Sequence, residues 1–555
     1  MARSAATPAA DGEALLRQAR AALEAARAYA DEARGATLDE VGGAGGIDPA
    51  LLDASQHGAH GYAWSETLVA ALYALLAWAD AANRRGAMGQ AEALVLRLGF
   101  GEYLGQLTGG VQIGPNETVR PAELGLVRAA RRLADAPAVA AFLAGADATG
   151  RAALVELVRS GVEPEESFGD QALDEIRAQF RRFTARRIAP HAPRWHLDDA
   201  LIPEDLIAEL GELGTFALCL DPQFGGLGLG RLEMCVVTEE LSRGWLAAGS
   251  LGTRSEIAAE LISLNGTPAQ KARWLPGLAS GEVLPTAVFT EPGHGSDLAN
   301  LATRAVRAGD GRWRISGAKT WITHAARADL MTLLARTGGP GYRGLSMFLV
   351  AKPRGSEADP FPIAGLSGSD IAVLGYRGMR EYELAFDDLE VPADALLGEV
   401  AGEGFRQLMR TFEAARIQTA ARAVGVAWRA YQLGLLYALQ RRQFGRPLID
   451  WPRVADKLAL MLVEIIAARE LAYASARVKD SGGRCDVEAG MAKLLAARVA
   501  WTSADASLQI HGGNGYALES EISRVLCDAR ILSIFEGASE IQAHVIARGL
   551  LQQTG

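Results

Sequence analysis

The sequence has little cysteine, and the few cysteines form no ligand pattern. Four occur in 555 residues, at Cys219, Cys235, Cys485 and Cys527. None stands in a CxxC pair or in a cysteine and histidine cluster, so no metal site and no disulfide framework are expected. The spacing favours isolated, buried, reduced thiols in a cytoplasmic protein.

An excess of positive charge and a long apolar run are also missing. Lys and Arg number 56 against 66 Asp and Glu, which gives a net charge of −10. A nucleic-acid partner is not expected, because it requires a basic surface. The longest apolar run, Leu68 to Ala79, is shorter than the roughly 20 residues that cross a bilayer. Met1 to Ala10 shows no leader pattern. We therefore expect no membrane span and a cytoplasmic location.

The pattern along the chain is helical, helical, β and helical again, without parallel βαβ alternation. Apolar residues recur with a helical period over Glu13 to Arg34 and Ser65 to Arg85, and later over Gly404 to Arg441 and Val454 to Lys479. Short β-branched and aromatic runs alternate with turns from Leu284 to about Leu397. The predicted fold is mainly α with a small β domain, and a Rossmann fold is excluded. The predicted domains are residues 1–165, 166–283, 284–398 and 399–555.

One carboxylate near the end of the sequence has an unusual setting. Glu536 stands between Phe535 and Gly537, at the predicted entry to the last helix. Partly apolar surroundings raise the pKa of a carboxyl group, which suits a general base. A carboxylate at a helix start also satisfies the first N–H groups and the helix dipole. The segment alone leaves both interpretations open.

Two segments of the predicted β domain combine hydroxyls with glycine or an aromatic ring. The loop Phe289 to Asp297 could place backbone donors, Thr290 or Ser296 against an electron-rich ring or a phosphate, or it could be an ordinary turn. In Gly317 to Thr323 we expect a strand that puts Trp321 and Thr323 on one face. That arrangement suits a flavin ring and equally suits a core tryptophan.

Three features lie in the C-terminal helical region. Two of them have both a structural and a cofactor-binding interpretation, and the third is interpreted as structural. Arg441 to Pro447 ends a long helix, where arginines complement the dipole or reach a pyrophosphate. The glycine-rich break Gln509 to Tyr516 permits close approach of a cofactor, or caps a helix. Arg524 and Asp528 are four residues apart and are expected to form a structural ion pair.

In their order and spacing, these segments resemble the acyl-CoA dehydrogenase family over roughly residues 170 to 552. The Phe-Gly-Gly-Leu-Gly-Leu turn at 224–229 and the segment Gly375 to Pro392 fit the family as well. The resemblance implies a helical domain, a small β domain and a C-terminal four-helix bundle, here preceded by an N-terminal helical extension. It also implies that FAD is bound between the β domain and the bundle, partly against a second subunit.

The resemblance assigns roles to individual residues. Glu536 matches the catalytic base, and Ala415 occupies the position where some members carry the base instead. Ala538 stands where the family usually has Thr, so one cofactor hydroxyl contact is expected to be missing. The cofactor-binding residues implied by position are Phe289, Thr290, Ser296, Trp321, Thr323, Arg441, Gln443, Phe444, Gln509, Ile510, Gly512, Gly513, Ala538 and Glu540. The substrate-binding residues implied are Thr253, Arg254, Ser296, Arg377, Arg416 and Phe535.

The expected acyl pocket carries polar residues, although simple fatty-acyl pockets are apolar at their far end. Thr253 and Arg254 fall on the helix that usually forms the pocket floor in the family. A guanidinium there would hold a carboxylate bidentately, and the alternative is a surface ion pair. Arg377, beside Tyr376, is a second candidate. Segments 239–244, 250–257, 321–327, 374–382 and 412–421 are similar to those of members that act on a branched C4 dicarboxylic thioester.

Several alternatives remain open on the sequence. The implied partners are an acyl-CoA substrate and an electron-transferring flavoprotein, in a homo-oligomer for which a dimer is favoured over a tetramer. The competing functions are an acyl-CoA oxidase, a dehydrogenase of another short branched or dicarboxylic acyl-CoA, and a flavin-bearing, nucleic-acid-associated relative. The net charge counts against the last of these. The extension could narrow the acyl end, shield an oligomer surface or act as an interaction module.

Overall fold

A computed structural model describes residues 9–43 and 46–552. Most of the segment Met1 to Ala10, where no leader pattern is found, lies outside the described residues, as does part of the glycine cluster Gly42 to Gly46. The chain divides into two compact units, residues 1–176 with 419–555, and residues 177–418.

The first unit is almost entirely helical. Its helices confirm the helical periodicity over Glu13 to Arg34, Ser65 to Arg85 and Val454 to Lys479. They are α1 (Ala9–Val41), α2 (Pro49–Ala54), α3 (Gln56–Arg84), α4 (Gln90–Gly109), α5 (Val127–Asp135), α6 (Pro137–Gly145), α7 (Ala148–Arg159), α15 (Pro452–Asp480), α16 (Asp486–His511), α17 (Glu521–Ile531) and α18 (Ser539–Gln552). Three short antiparallel pairs accompany them: β1 (Gly42–Gly43) with β2 (Gly46–Ile47), β3 (Val111–Gln112) with β4 (Thr118–Val119), and β12 (Arg442–Gln443) with β13 (Arg446–Pro447).

The second unit holds the sheet and the remaining helices. Its helices are α9 (Ala192–Leu197), α10 (Glu204–Glu212), α11 (Arg231–Gly244), α12 (Leu246–Asn265) and α13 (Pro268–Ser280), and the chain passes between the units within α8 (Gln171–Phe183) and α14 (Gly404–Gln440). Its strands are β5 (Pro285–Val288), β6 (Arg304–Arg307), β7 (Trp313–Lys319), β8 (Leu330–Arg336), β9 (Leu345–Ala351), β10 (Leu366–Ile371) and β11 (Glu381–Val391). The fold class, mainly α with a small β domain, is confirmed.

The sheet is mixed, in the order β10-β11-β7-β6-β8-β5, and β9 pairs with β8. Strand β5 runs parallel to β8, while β7 and β11 are antiparallel with a register shift between Phe386 and Leu389. The side chains of Ile315, Leu333 and Phe348 are fully buried in its core. Period-two burial along β11 matches the alternation expected of a half-buried strand.

Local signals in the sequence explain where helices begin and end. Thr267 and Gln270 form a reciprocal capping box at the start of α13, and Gly281 ends the helix with φ of 78°. Only glycine adopts that left-handed conformation at little cost.

The helices of the N-terminal segment pack on the C-terminal helices within the first unit. The Arg498 guanidinium of α16 lies 4.9 Å from the Trp64 ring of α3 and donates to the Gln112 carbonyl at 2.9 Å. Arg151 of α7 pairs with Asp456 of α15 at 2.8 Å. The extension is therefore part of the same packed core as α15, α16 and α18.

Among the described residues, no single helix is long and apolar enough to span a membrane. Helices α6 and α7 have the length and apolar composition of a membrane span only when they are taken together, and they are bent by 59° at their junction.

Candidate active site

Glu536 lies in the loop between α17 and α18, and this loop has a strained backbone. The φ angle of Glu536 is 53° and that of Gly537 is 93°. The Gln542 amide donates to the carbonyl oxygens of Glu536 and Gly537 at 3.2 and 3.4 Å. A Cβ at Gly537 would lie 2.0 Å from that amide nitrogen, so any other residue would combine left-handed strain with displacement of the Gln542 side chain. Strain of this kind persists only where the surroundings hold it in place.

The carboxylate of Glu536 is held by two side chains of α14. The Arg422 guanidinium lies 2.8 Å from Oε2, and the Thr419 hydroxyl donates to the same oxygen. Arg422 also donates to the Thr419 hydroxyl at 2.7 Å, and its guanidinium lies 4.9 Å from the Phe535 ring centre. Arg422 and Thr419 are fully buried, whereas the Glu536 side chain is 14% exposed.

A buried ammonium completes the support of the loop. Lys493 of α16, fully buried, donates to the Gly537 carbonyl at 2.5 Å. Sequence reasoning missed Arg422, Thr419, Lys493 and Gln542. For Arg422 and Lys493 a signal existed, since each is a lone charge within an apolar helical run, and a fully buried charge needs a partner.

The residues next to Glu536 take different positions. Phe535 and Ala538 are partly buried, and Glu540 is an exposed acidic residue in the first turn of α18. Ala415, the position where a rival base would stand, is an apolar residue that is 2% exposed in α14. The position of Ala415 therefore offers no titratable side chain.

In the second unit, the expectation that Trp321 and Thr323 share a strand face is wrong. Strand β7 ends at Lys319, and Trp321 has a left-handed φ of 58°. Residues 322 and 324 instead make backbone hydrogen bonds to Tyr382 and Arg380 at 3.0 and 2.9 Å. The turn leaves the indole 56% exposed, while the Thr323 side chain is buried.

Thr323 is connected to a substrate-binding candidate through a buried carboxyl group. Its hydroxyl lies 2.9 and 3.0 Å from the two carboxyl oxygens of Glu381. Burial raises the pKa of Glu381 to about 7, although the positive charge of Arg254 and the bond to Thr323 oppose the rise. Arg254 donates to the Tyr376 hydroxyl at 3.2 Å. The structure thus brings Thr323, Glu381, Arg254 and Tyr376 into one polar cluster within an otherwise buried region.

His324, next to this cluster, is buried, and its neutral form is favoured at physiological pH. Burial, together with the positive charges of Arg327, Arg354, Arg254 and Lys352, lowers its pKa to about 3.

The loop after β5 is built around a buried ion pair. Lys319 donates to the Phe289 carbonyl at 2.8 Å and to Glu291 at 3.0 Å. Burial lowers the pKa of Lys319 to about 8, against the effect of Glu291. Burial raises the pKa of Glu291, but Lys319 and backbone N–H groups outweigh it, so the net shift is downward. Phe289 is buried, Thr290 is partly buried and Ser296 is exposed.

The helix end at Arg441 forms an exposed hairpin. Arg441 follows α14, Gln443 lies in β12, and Phe444 stands at the turn with φ of 50° and 90% exposure. An aromatic ring this exposed at a strained position presents a flat apolar surface to a ligand or a partner.

The glycine-rich break follows the end of α16. Gly512 has a φ of 59° and caps the helix, which confirms the capping interpretation, and no atom lies within 4 Å of a Cβ built on Gly512 or Gly513. Gln509 is exposed and Ile510 is buried. Arg524 and Asp528 form the expected ion pair at 3.0 Å and are buried.

The other substrate-binding candidates are differently placed. The Thr253 hydroxyl is buried and donates to the Gly249 carbonyl of its own helix at 3.3 Å. Arg377 donates to the carbonyls of Val373 and His196 at 3.2 and 3.0 Å, which ties it to backbone outside the Arg254 cluster. Arg416 is partly buried in α14.

The residues present fit an FAD molecule. Trp321 is an exposed indole directly before seven buried residues, 322–328, and supplies a flat surface for a ring. Gly293, Gly295, Gly512 and Gly513 have open space where a Cβ would stand, so a pyrophosphate can approach their backbone closely. Arg441 supplies an exposed guanidinium, which suits a pyrophosphate. Among the described residues no group of His, Cys, Asp and Glu could hold a metal ion.

Comparisons with known proteins agree with this geometry. Three family models match: the N-terminal domain of acyl-CoA dehydrogenase over residues 170–282, the middle domain over 286–389 and the C-terminal domain over 402–551. The chain is 55% identical over 548 residues to (2S)-methylsuccinyl-CoA dehydrogenase of Cereibacter sphaeroides, covering 97% of this chain and 98% of that protein.

Solved structures match about 70% of the chain. Butyryl-CoA dehydrogenase from Megasphaera elsdenii aligns with a TM-score of 0.66 and 30% identity, covering 70% of this chain and all of that one. A glutaryl-CoA dehydrogenase from Mycobacterium smegmatis in complex with FADH2 aligns with a TM-score of 0.64 and 28% identity, covering 70% of this chain and 96% of that one. The chain belongs to the acyl-CoA dehydrogenase family, whose members are FAD-dependent oxidoreductases that act on CH–CH bonds.

Proposed function

We propose that the chain is a (2S)-methylsuccinyl-CoA dehydrogenase that forms mesaconyl-CoA, a step of the ethylmalonyl-CoA pathway. The observation that carries the proposal is the 55% identity to the Cereibacter sphaeroides enzyme over 97% of this chain, extension included. The other two relatives described above match only about 70% of the chain.

Glu536 is the proposed base. The α-proton of a thioester is weakly acidic, so its removal needs a positioned carboxylate and stabilisation of the enolate oxygen. Arg422 and Thr419 fix the carboxylate, and Lys493 and Gln542 fix the backbone around it. We assign one enolate-stabilising hydrogen bond to the backbone N–H of Glu536.

The proposed FAD-binding residues are those that the family resemblance implies by position. When bound, FAD supplies the ring that accepts the β-hydride. In the second unit, Trp321 and Thr323 line this ring, with Phe289, Thr290 and Ser296 from the loop after β5. In the first unit, the residues that hold the remainder of FAD are Arg441, Gln443, Phe444, Gln509, Ile510, Gly512, Gly513, Ala538 and Glu540.

Arg254 is the proposed partner of the substrate carboxylate. Its guanidinium lies in the buried polar cluster with Tyr376, and the nearby Glu381 has a pKa of about 7, so at neutral pH Glu381 cancels only part of the positive charge. An anionic substrate group is then favoured beside Arg254. The contacts of Arg377 with two backbone carbonyls make it the weaker candidate.

An electron-transferring flavoprotein is the proposed electron acceptor, and a homodimer is the proposed assembly. The acceptor is typical of the family, and one of the matched solved structures is of an electron-transferring flavoprotein of Acidaminococcus fermentans. A reducing, cytoplasmic location is supported by four cysteines that carry no disulfide in the described part of the chain.

The test is an anaerobic titration of the purified yellow protein with (2S)-methylsuccinyl-CoA, beside succinyl-, glutaryl- and butyryl-CoA, following flavin bleaching. We expect bleaching by the methylsuccinyl thioester at far lower concentration than by the others. Preferential bleaching by butyryl- or glutaryl-CoA would overturn the substrate assignment. Rapid aerobic turnover with peroxide release would show an oxidase.

A further inference from the structure

Arg422 is an unusual neighbour for a base. It lies in the run Thr419 to Val424 of α14, where Arg422 is the one charged residue among alanine, valine and threonine. The guanidinium is fully buried and contacts Glu536 at 2.8 Å, Thr419 at 2.7 Å and the Phe535 ring at 4.9 Å. A buried guanidinium beside a carboxylate stabilises the ionised form of that carboxylate.

Three other groups on the elements around the loop make different contacts. The Lys493 ammonium of α16 contacts the Gly537 carbonyl, and α18 contributes the neutral Gln542 amide. In α17, Arg524 and Asp528 pair with each other at 3.0 Å. Arg422 is thus a fully buried cation in direct contact with the Glu536 carboxylate.

A carboxylated substrate creates a problem that a fatty-acyl substrate does not. It brings a second carboxylate close to the base, and two nearby carboxylates are not both readily ionised. Without compensation the base would take a proton from solvent on substrate binding and could no longer accept the α-proton.

We propose that Arg422 is a positioning residue that keeps Glu536 ionised against the negative charge of a carboxylated substrate. The inference rests on the proposed function, because it requires Glu536 as base and a dicarboxylic thioester as substrate. It adds a second arginine to substrate selection: Arg254 binds the substrate carboxylate, and Arg422 protects the base from its charge.

The first test counts protons taken up on binding and needs no turnover. Mesaconyl-CoA is the carboxylated ligand, and tiglyl-CoA, which has a methyl group in place of the carboxylate, is its uncharged counterpart. Calorimetry of the oxidised holoenzyme near neutral pH, in buffers of different ionisation enthalpy, gives the number of protons. The variants are Arg422→Gln, Arg422→Lys and Arg429→Gln, the last as a matched control because Arg429 of the same helix pairs with Glu521 at 2.5 Å.

With mesaconyl-CoA, Arg422→Gln should take up about one proton more than the wild type or Arg429→Gln, and with tiglyl-CoA the difference should vanish. The added change Glu536→Gln should abolish the extra uptake, and Arg422→Lys should restore wild-type behaviour. Equal uptake by Arg422→Gln and Arg429→Gln with mesaconyl-CoA would overturn the proposal. An extra proton that persists in the double variant would also overturn it.

The second test is the pH profile of anaerobic flavin bleaching by (2S)-methylsuccinyl-CoA. Arg422→Gln should move the acidic limb to higher pH by about 1–2 units, and Arg429→Gln should leave it in place. If the acidic limb does not move in a folded Arg422→Gln protein, the role of Arg422 is overturned and the proposed function stands. If this thioester does not bleach the wild type, the proposed function itself is overturned.

Discussion

Arg422 and Glu536 form an ion pair of 2.8 Å that joins residues 114 positions apart in the sequence, one on helix α14 and one in the loop before α18. The guanidinium is fully buried and the carboxylate side chain is 14% exposed. Glu536, the proposed base, is therefore held from one side by a cation that solvent does not reach. Removing one partner of such a buried pair lowers the free energy of unfolding more than removing one partner of a surface ion pair does.

Gly537 is required both by its backbone angle and by its contact with Gln542. We expect Gly537→Ala to destabilise the fold by roughly 2–4 kcal/mol, from left-handed strain and the overlap with Gln542. The control is Gly482→Ala, where φ is 81° but no atom lies within 4 Å of the new Cβ, so a loss of about 1 kcal/mol is expected. Chemical denaturation measures both, and equal losses would contradict the role of the Gln542 contact.

Arg254 should decide selectivity for the carboxylated substrate. We expect Arg254→Gln to lower kcat/KM for (2S)-methylsuccinyl-CoA by about tenfold to a hundredfold, because a charge-assisted contact is lost. The value for butyryl-CoA should change little. Steady-state kinetics with both thioesters checks this, and Arg377→Gln supplies the comparison. A loss of selectivity in Arg377→Gln with none in Arg254→Gln would exchange the two assignments.

Glu381 should make stability fall as pH rises. Its pKa is about 7 in the folded protein and near 4.5 when unfolded, so the folded state holds a proton that the unfolded state releases between these values. The contribution of Glu381 to the free energy of unfolding is fully present below about pH 4.5 and is lost as pH rises through 7. The total loss is at most about 3 kcal/mol. The melting temperature, measured from pH 5 to 8, should therefore fall more steeply with rising pH for the wild type than for Glu381→Gln. An equal fall of the melting temperature in both proteins would show that Glu381 does not hold the proton.

The N-terminal extension should be required for folding of the C-terminal helices. Deleting residues 1–165 uncovers α15, α16 and α18, and we expect an aggregated or strongly destabilised protein. In the full chain, Trp64→Ala should cost about 3–5 kcal/mol, since Trp64 is 3% exposed. Tyr73→Ala, on the same helix at 54% exposure, should cost far less. A truncated enzyme with intact kinetics and stability would instead support an interaction module.

The helices were accessible from sequence because they depend on local signals. Apolar periodicity predicts α1, α3, α14 and α15. The assignment of Glu536 as the base came from the family resemblance, since the segment itself also fits a helix start, and it stays a prediction. The Arg524 and Asp528 pair followed from helical spacing alone.

The support of the base was not accessible, because it depends on contacts between distant segments. Arg422 and Lys493 meet the loop only after three elements pack together. Trp321 was misplaced because its β-branched and aromatic neighbours favour a strand, whereas backbone bonds to residues 380 and 382 impose a turn with positive φ. Periodicity likewise does not show which helices pair, so the packing of α3 on α15 and α18 appears only in the structure.

The central claim, that Glu536 removes the α-proton of (2S)-methylsuccinyl-CoA, is tested most directly by anaerobic bleaching of the wild type and Glu536→Gln. FAD content and mesaconyl-CoA binding serve as controls for folding. The account predicts stoichiometric bleaching of the wild type, with a product lighter by two hydrogens, and a rate about 10²–10⁴ times lower for Glu536→Gln. Bleaching of folded, FAD-loaded Glu536→Gln at the wild-type rate would contradict it.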